Sequence, residues 1–278
     1  MNLSKKSCIT FLCFFSISLI SIAQSTKIIS YNIRYDNNWD TINNWQDRKD
    51  KIAVLLNKYN APIIGIQEGL FNQVEYLNTS LKNHNYFGIG RDGEQKGEYS
   101  AIFYDTTIFK LLQNNTFWLS KTPNNNSIGW DAALNRICTY GLLENLKTKQ
   151  KIWVFNTHFD HIGKVARENS VKLILRKIKQ LNTNNYPIIL MGDFNMTPNQ
   201  QPITILNNEL DDASKISKTT LIGPIGTFNG FSLDEVTRKI DYFFTKNLTI
   251  LSYTHVNDLL DNSKHISDHL PIIIELKN

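Results

Sequence analysis

Two polar residues, two positions apart, close an apolar run: in Ile-Ile-Leu-Met-Gly-Asp-Phe-Asn-Met-Thr-Pro, residues 188–198, Asp193 and Asn195 follow four apolar residues and Gly192. In extended chain such neighbours share a face, so a carboxylate stands beside an amide at the end of a buried strand. The carboxylate can orient or deprotonate a water, and the amide can hold that water or an anionic oxygen. Taken alone, the pair is better explained as a turn that closes a strand. The same punctuation nevertheless recurs. Asn32 closes the run 27–33, Glu68 follows 63–66, His158 follows 151–155, Asp268 and His269 precede 270–276, and Asp241 lies within 240–244. Each has a bland reading as a cap, turn or paired charge, and His158 or His269 alone would more often be structural. Their repetition at strand ends points to one shared pocket.

The elements that must position these residues follow from periodicity. Helices are expected over 47–60, where Ile52, Leu55, Leu56 and Tyr59 share a face, over 73–81, over 165–182 and, briefly, after Pro198. In the third, Val171, Ile174, Leu175, Ile178 and Leu181 turn inward while Lys172, Arg176, Lys177 and Lys179 form a solvated face. Further strands are expected at 86–90, 101–104, 109–112, 136–143 and 248–256, with 109–112 pairing with 101–104. Segment 117–135, which holds Trp118, Pro123 and Trp130, reads as a long surface loop. Its two tryptophans either stack on a sugar or base or pin the loop to the body. Intermixed strands, hairpins and helices indicate an α+β fold of two packed mixed sheets flanked by helices.

Residues 1–23 carry Lys5 and Lys6, an apolar run from Ile9 to Ile22 and a small-residue cleavage site at Ser21-Ile22-Ala23. They read as a signal peptide, giving an exported single domain over 24–278. No cysteine follows the cleavage site that could carry a lipid, so no stable membrane anchor is expected. Removing the leader lowers the formal net charge from +5 to +3, because Lys5 and Lys6 leave with it. Cys8 and Cys13 leave too, so Cys138 has no internal partner and stability rests on core packing. Nothing in the sequence signals an obligate protein partner, and no concentrated basic stripe of the kind used for tracking nucleic acid is present.

In chain order, Asn32, Gln67-Glu68, Asn156-Thr157-His158, Gly192-Asp193-Phe194-Asn195, Ile240-Asp241-Tyr242 and Ser267-Asp268-His269-Leu270-Pro271 resemble the motifs of the endonuclease/exonuclease/phosphatase (DNase I-like) superfamily, here of secreted bacterial type. The resemblance spans about 27–276 and is specific for the superfamily but not for a substrate. It implies a four-layer αββα sandwich with its site at one rim of the two sheets. It also implies a metal-dependent phosphoester hydrolase, with phosphodiester cleavage preferred and nucleic acid as the leading substrate. A phospholipid head group, an inositol phosphate or a phosphorylated extracellular glycan are the rivals, and a non-catalytic binding module on the same fold is the reading from a different class.

The residue types supply the chemistry. A divalent cation offsets phosphoryl charge, and a site of carboxylates and amides suits magnesium, with manganese as the alternative. Glu68 is the first choice for the ligand, with Asn32 and Asp268 nearby. Asp193 would activate water and Asn195 would hold it. His269 would donate to the phosphate with Asp241 fixing its ring, and His158 would be a second donor. Glu98 looks like the family's carboxylate partner for His158. Arg34, Arg136, Asp160 and His161 are further candidates for contact with substrate, Arg136 as a phosphate clamp.

Overall fold

Apolar runs without alternation, such as 63–66 and 188–191, need cover on both faces, and the architecture provides it. The computed structural model describes residues 25–259 and 264–277; the expected leader lies outside them. Among the described residues, twelve strands form two six-stranded sheets. The strands are β1 (Ser25–Asn32), β2 (Ile63–Gln67), β3 (His84–Phe87), β4 (Ile102–Asp105), β5 (Phe109–Trp118), β6 (Ile137–Asn145), β7 (Lys151–His158), β8 (Ile188–Asp193), β9 (Asp211–Asp212), β10 (Asp241–Lys246), β11 (Ile250–His255) and β12 (Ile272–Lys277). The first sheet runs β11-β12-β1-β2-β4-β3 and the second β5-β6-β7-β8-β10-β9.

Helices α1 (Trp45–Tyr59) and α2 (Phe71–Ser80) pack on the outside of the first sheet, and α3 (Lys164–Leu181) and α4 (Gln201–Asn207) on the outside of the second. Successive strand residues alternate between layers: Ile29 and Ile64 join Leu56 and Leu77 on the helix side, whereas Ile28 and Ile63 join Val154, Ile189 and Met191 between the sheets. On the far side Phe155 and Leu190 meet Val171 and Ile174. The α+β, four-layer sandwich expected from the sequence is the fold observed. No helix among the described residues is long and apolar enough to cross a membrane.

Topology explains why chemistry collects at one rim. In each sheet the central pair is parallel, β1 with β2 and β7 with β8, joined across α1 and α3. Their carboxyl ends deliver Asn32, Gln67-Glu68, His158 and Asp193 to the same edge. The neighbours β10 and β12 run antiparallel, so their amino ends arrive there too, with Asp241 directly opposite Asp193 in register.

One pairing differs from expectation. β5 is an edge strand of the second sheet and pairs with β6, not with β4, and it continues through Phe117 and Trp118. Its middle, Gln113-Asn114-Asn115, is exposed and a bulge interrupts it after Leu111. A strand solvated along its centre has no apolar period to read. Trp118 is buried and its Nε1 donates to the Arg91 carbonyl (2.7 Å), while Trp130 packs against the outer core, so both tryptophans pin the loop.

Candidate active site

The two rims are held together just beneath the site by amides. Asn156 Nδ2 donates to the Ile66 and Ala101 carbonyls (2.8 Å each) across the sheet interface, and Gln67 Nε2 donates to Asn156 Oδ1 (2.7 Å). Both side chains are fully buried, and every polar side-chain atom of Asn156 is hydrogen-bonded, so it ties the two sheets together, while Gln67 Oε1 is left without a partner. Backbone geometry is equally committed. Arg34, Glu68 and Asn195 adopt φ of 58°, 66° and 50°, a left-handed region that non-glycine residues rarely occupy and that clusters at functional sites. Gly192 has φ 143°, and a Cβ there would lie 1.9 Å from the Thr157 carbonyl oxygen.

On this frame Glu68, Asp193 and His269 converge, one ligand atom of each lying within 4.8 Å of the others. Asn32 Nδ2 donates to Glu68 Oε1 (3.0 Å) and Asp193 Oδ2 (3.1 Å), while its Oδ1 accepts from the Arg34 backbone (3.1 Å). Asn32 therefore presents its N–H groups to the two carboxylates. Asp193 Oδ1 accepts from the Asn195 backbone (2.8 Å), leaving Oδ2 facing His158 Nε2 (3.5 Å) and His269 Nε2 (3.6 Å). His269 Nδ1 donates to Asp241 Oδ2 (2.9 Å). Asn195 Nδ2 donates to the Phe159 carbonyl (3.0 Å) and contacts His158 Nε2 (3.1 Å), and Glu98 Oε2 is 3.8 Å from His158 Nδ1. Asp268 is held beside the cluster by Arg34 Nη1 (3.8 Å) and Ser267 Oγ (3.3 Å). Asn32, Asp193 and His269 thus stand around Glu68, and Asp268 flanks the group through Arg34.

Burial and mutual repulsion set the charges. Burial, then the Asp241 charge, lifts Asp193 to about 7. Burial lifts Asp268 to about 6 against the pull of His269, and burial with the Glu68 charge lifts Glu98 to about 7 against Arg91 and Arg136. Burial works to neutralise His269, yet Asp241 and then Asp193 overcome it and raise the imidazole to about 10. His158 goes the other way: burial, Arg136 and Arg91 hold it well below the usual histidine range. A pocket of oxygen donors whose carboxylates are driven upward in pKa is short of positive charge, and that donor set fits a hard divalent cation. Glu68 is the carboxylate that would hold it, with Asp193 and Asp268 alongside.

A family model described as "Endonuclease/Exonuclease/phosphatase family" matches residues 29–269. The chain belongs to this family. An endonuclease/exonuclease/phosphatase family protein from Bacteroides thetaiotaomicron has a structure that superposes with a TM-score of 0.87 at 34% identity, covering 91% of this chain and 95% of that one. A mannosyl-6-phosphatase from the same organism gives 0.86 at 34% identity, over 90% and 99% of the two chains. An uncharacterized protein of Acanthamoeba polyphaga mimivirus is 27% identical over 269 residues, 89% of this chain and 98% of its own length.

Around this family's site the remaining candidates separate. Arg34 Nε and Nη2 are both taken by Asp40 (2.9 Å each), with Nη1 left toward Glu68 and Asp268. Arg136 lies 3.5 Å from Asp160 and 3.1 Å from His161 Nδ1, and its Nε and Nη1 are buried without a hydrogen-bond partner. His161 is the exposed member of that group, its pKa lowered by burial and Arg136. Asp160 is turned inward. Its oxygens accept from the backbone of Ala133, Leu134, Ile162 and Gly163, so it clasps two loops and steadies Arg136 and does not itself project toward substrate.

Sequence reasoning missed the residues that act from behind. Thr227 Oγ1 donates to Asp241 Oδ2 (2.6 Å) and accepts from the Ile240 and Asp241 backbone, locking the carboxylate against His269. Phe228 packs edge-on to the His269 ring, 5.0 Å between centroids, and Asn229 Nδ2 donates to the Ser267 carbonyl (3.0 Å). Arg48, fully buried in α1, donates to the carbonyls of Ile33, Arg34, Asn43 and Ile266, tying the end of β1 to the segment that carries His269. A buried polar residue on the inward face of a helix is the one sequence signal that would have exposed Arg48.

Proposed function

We propose that this protein is an exported, divalent-cation-assisted phosphoester hydrolase whose substrate is a phosphorylated sugar. The observation that carries the hydrolase is the convergence of Glu68, Asp193 and His269, backed by Asp241. Bound at Glu68, magnesium would offset charge on the phosphoryl and leaving oxygens. Asp193, with a pKa of about 7, is poised to take the proton of the attacking water near neutral pH. The water oxygen bonds to phosphorus as the ester P–O bond breaks. His269, an imidazolium fixed through Asp241, offers its Nε2–H to a phosphoryl oxygen, and Asn195 orients Asp193 through its backbone N–H. His158, kept neutral, supplies a further contact whose charge can change when an anion arrives.

The substrate class rests on two supports. Among the described residues Arg34 is held by Asp40 and Arg91 by Glu98 at 2.7 Å, while Arg136, 3.5 Å from Asp160, keeps buried N–H groups without a hydrogen-bond partner and Arg238 lies exposed over the Phe228 ring; these are isolated cations and not a continuous track for a nucleic-acid backbone. The likeness to a mannosyl-6-phosphatase over nearly the whole chain then favours a sugar phosphate. Export is supported by the composition of the leader. The test is hydrolysis of mannose 6-phosphate, bis(p-nitrophenyl) phosphate, plasmid DNA and RNA, each with magnesium and with chelator, by wild type and Asp193→Asn. Magnesium-dependent turnover of the sugar phosphate, lost in the variant, is expected. Preferential cleavage of DNA or RNA would return the substrate to nucleic acid, and equal rates in all arms would remove the hydrolase.

A further inference from the structure

The loop between β1 and α1 and the segment 91–98 flank an open cleft of about 390 Å³, lined by Tyr35, Asp36, Asn38, Trp39, Arg91 and Glu98 among others. Small-molecule sites span about 300–1,000 Å³. The cleft shares Glu98 with the catalytic cluster, and Tyr35 also belongs to both, its backbone N–H donating to Glu68 Oε2 (3.2 Å). It therefore adjoins the candidate site through these two residues.

Trp39 is 84% exposed, and its ring has no aromatic or cationic partner among the described residues. An indole left in water is an unusual use of so large an apolar surface. The loop that displays it is stiff. Asn37 Oδ1 accepts from the Trp39 and Asp40 backbones (2.9 and 3.0 Å), Asn37 Nδ2 donates to Asp40 (2.7 Å), and Asp40 clamps Arg34. Asp36 is fixed to α2, its backbone N–H donating to Gln73 (2.8 Å) and its carboxylate accepting from Asn72 (3.0 Å). The Asn38 amide is exposed and has no hydrogen-bond partner among the described residues. A preorganised aromatic plate ringed by amide and carboxylate groups matches a pyranose, which has a face of C–H groups and an edge of hydroxyls.

We propose that this cleft is a sugar subsite in which the Trp39 ring covers the apolar face of the pyranose and Asn38 and Asp36 take its hydroxyls, delivering the attached phosphate to Asp193 and His269. The proposal rests on the phosphoester-hydrolase reading above and names the part of the molecule that would select the sugar. A nucleobase could stack on the same ring, but the Asn38 amide and the Asp36 carboxylate beside it are partners for hydroxyl groups, which favours the sugar.

Kinetics of wild type, Trp39→Ala and Trp39→Phe with mannose 6-phosphate, ethyl phosphate and adenosine monophosphate test it. In Trp39→Ala the ratio of kcat/KM for mannose 6-phosphate to that for ethyl phosphate is expected to fall about tenfold, carried by KM, and Trp39→Phe to restore most of it. An unchanged ratio, or a fall confined to adenosine monophosphate, overturns the proposal. Saturation-transfer NMR with methyl mannoside reads the subsite without catalysis. Transfer to the sugar in wild type, lost in Trp39→Ala, is expected, and equal transfer in both overturns the subsite even where hydrolysis is intact. Transfer without any hydrolysis would instead overturn the hydrolase reading and leave the subsite standing.

Discussion

Two histidine–carboxylate pairs stand on either side of Asp193, one holding a charged imidazolium and the other a neutral ring. His269 lies 2.9 Å from Asp241 and is raised to about 10, whereas His158 lies 3.8 Å from Glu98 and is held well below the usual range. Both rings are buried, so solvent exposure does not separate them. The neighbours do. Asp241 is locked by Thr227 and Asp193 adds a second negative charge for His269, while Glu98 is shared with Arg91 and two guanidinium groups press on His158. A histidine beside a carboxylate is not thereby an ion pair; the next shell of charges decides. The first pair is equipped to donate a permanent proton, the second to respond to an arriving anion.

Breaking the stronger pair should cost most. Asp241→Asn is expected to lower kcat by about a thousandfold or more, as loss of an orienting carboxylate does in other His-carboxylate systems, with the fold unchanged by circular dichroism. Thr227→Val keeps the shape and removes only the hydroxyl that locks Asp241, so a fall in kcat of about tenfold is expected. Glu98→Gln, on the weaker side, should reduce kcat/KM by less, about three- to fivefold, measured on the same substrate. An equal loss for Asp241→Asn and Glu98→Gln would erase the distinction between the pairs.

The pairs also give pH dependences of opposite sign in metal-free protein. The folded pKa of His269 is raised from 6.5 to about 10, so the stability it contributes is fully present below pH 6.5 and is lost as pH rises through 10. That of His158 is lowered, so its contribution is present above pH 6.5 and declines as pH falls below it. Urea midpoints should fall as pH rises through 10; on the acid side the raised carboxylates Asp193, Glu98 and Asp268 oppose His158, so its share is read as the difference between wild type and a His158 variant. Asp241→Asn should flatten the alkaline limb and His158→Gln should gain on wild type as pH falls, and a variant that acts on the wrong limb would contradict the assignment.

The candidate site positions were legible because a buried strand tolerates a polar residue only where it stops, so Asn32, Glu68, His158 and Asp193 interrupt apolar runs visibly. The sandwich was legible for the same reason, through runs that demand cover on both faces. Edge strand β5 was not, since its polar middle is solvated. Thr227 and Arg48 were not, because most of their contacts are with residues 13 or more positions away, several of them backbone carbonyls, which leave no pattern in sequence. The tryptophans show the limit most clearly. Trp118 and Trp130 turned out to anchor a loop, while Trp39, set among asparagines, is the exposed one.

Manganese binding followed by electron paramagnetic resonance, on wild type and Glu68→Gln, alongside hydrolysis of mannose 6-phosphate, tests the central claim most directly. The account predicts bound manganese in wild type, at least a hundredfold weaker binding in Glu68→Gln as expected for loss of a charged ligand, and hydrolysis that disappears with the metal. Unaltered manganese binding in Glu68→Gln, or hydrolysis that survives chelation, would contradict it.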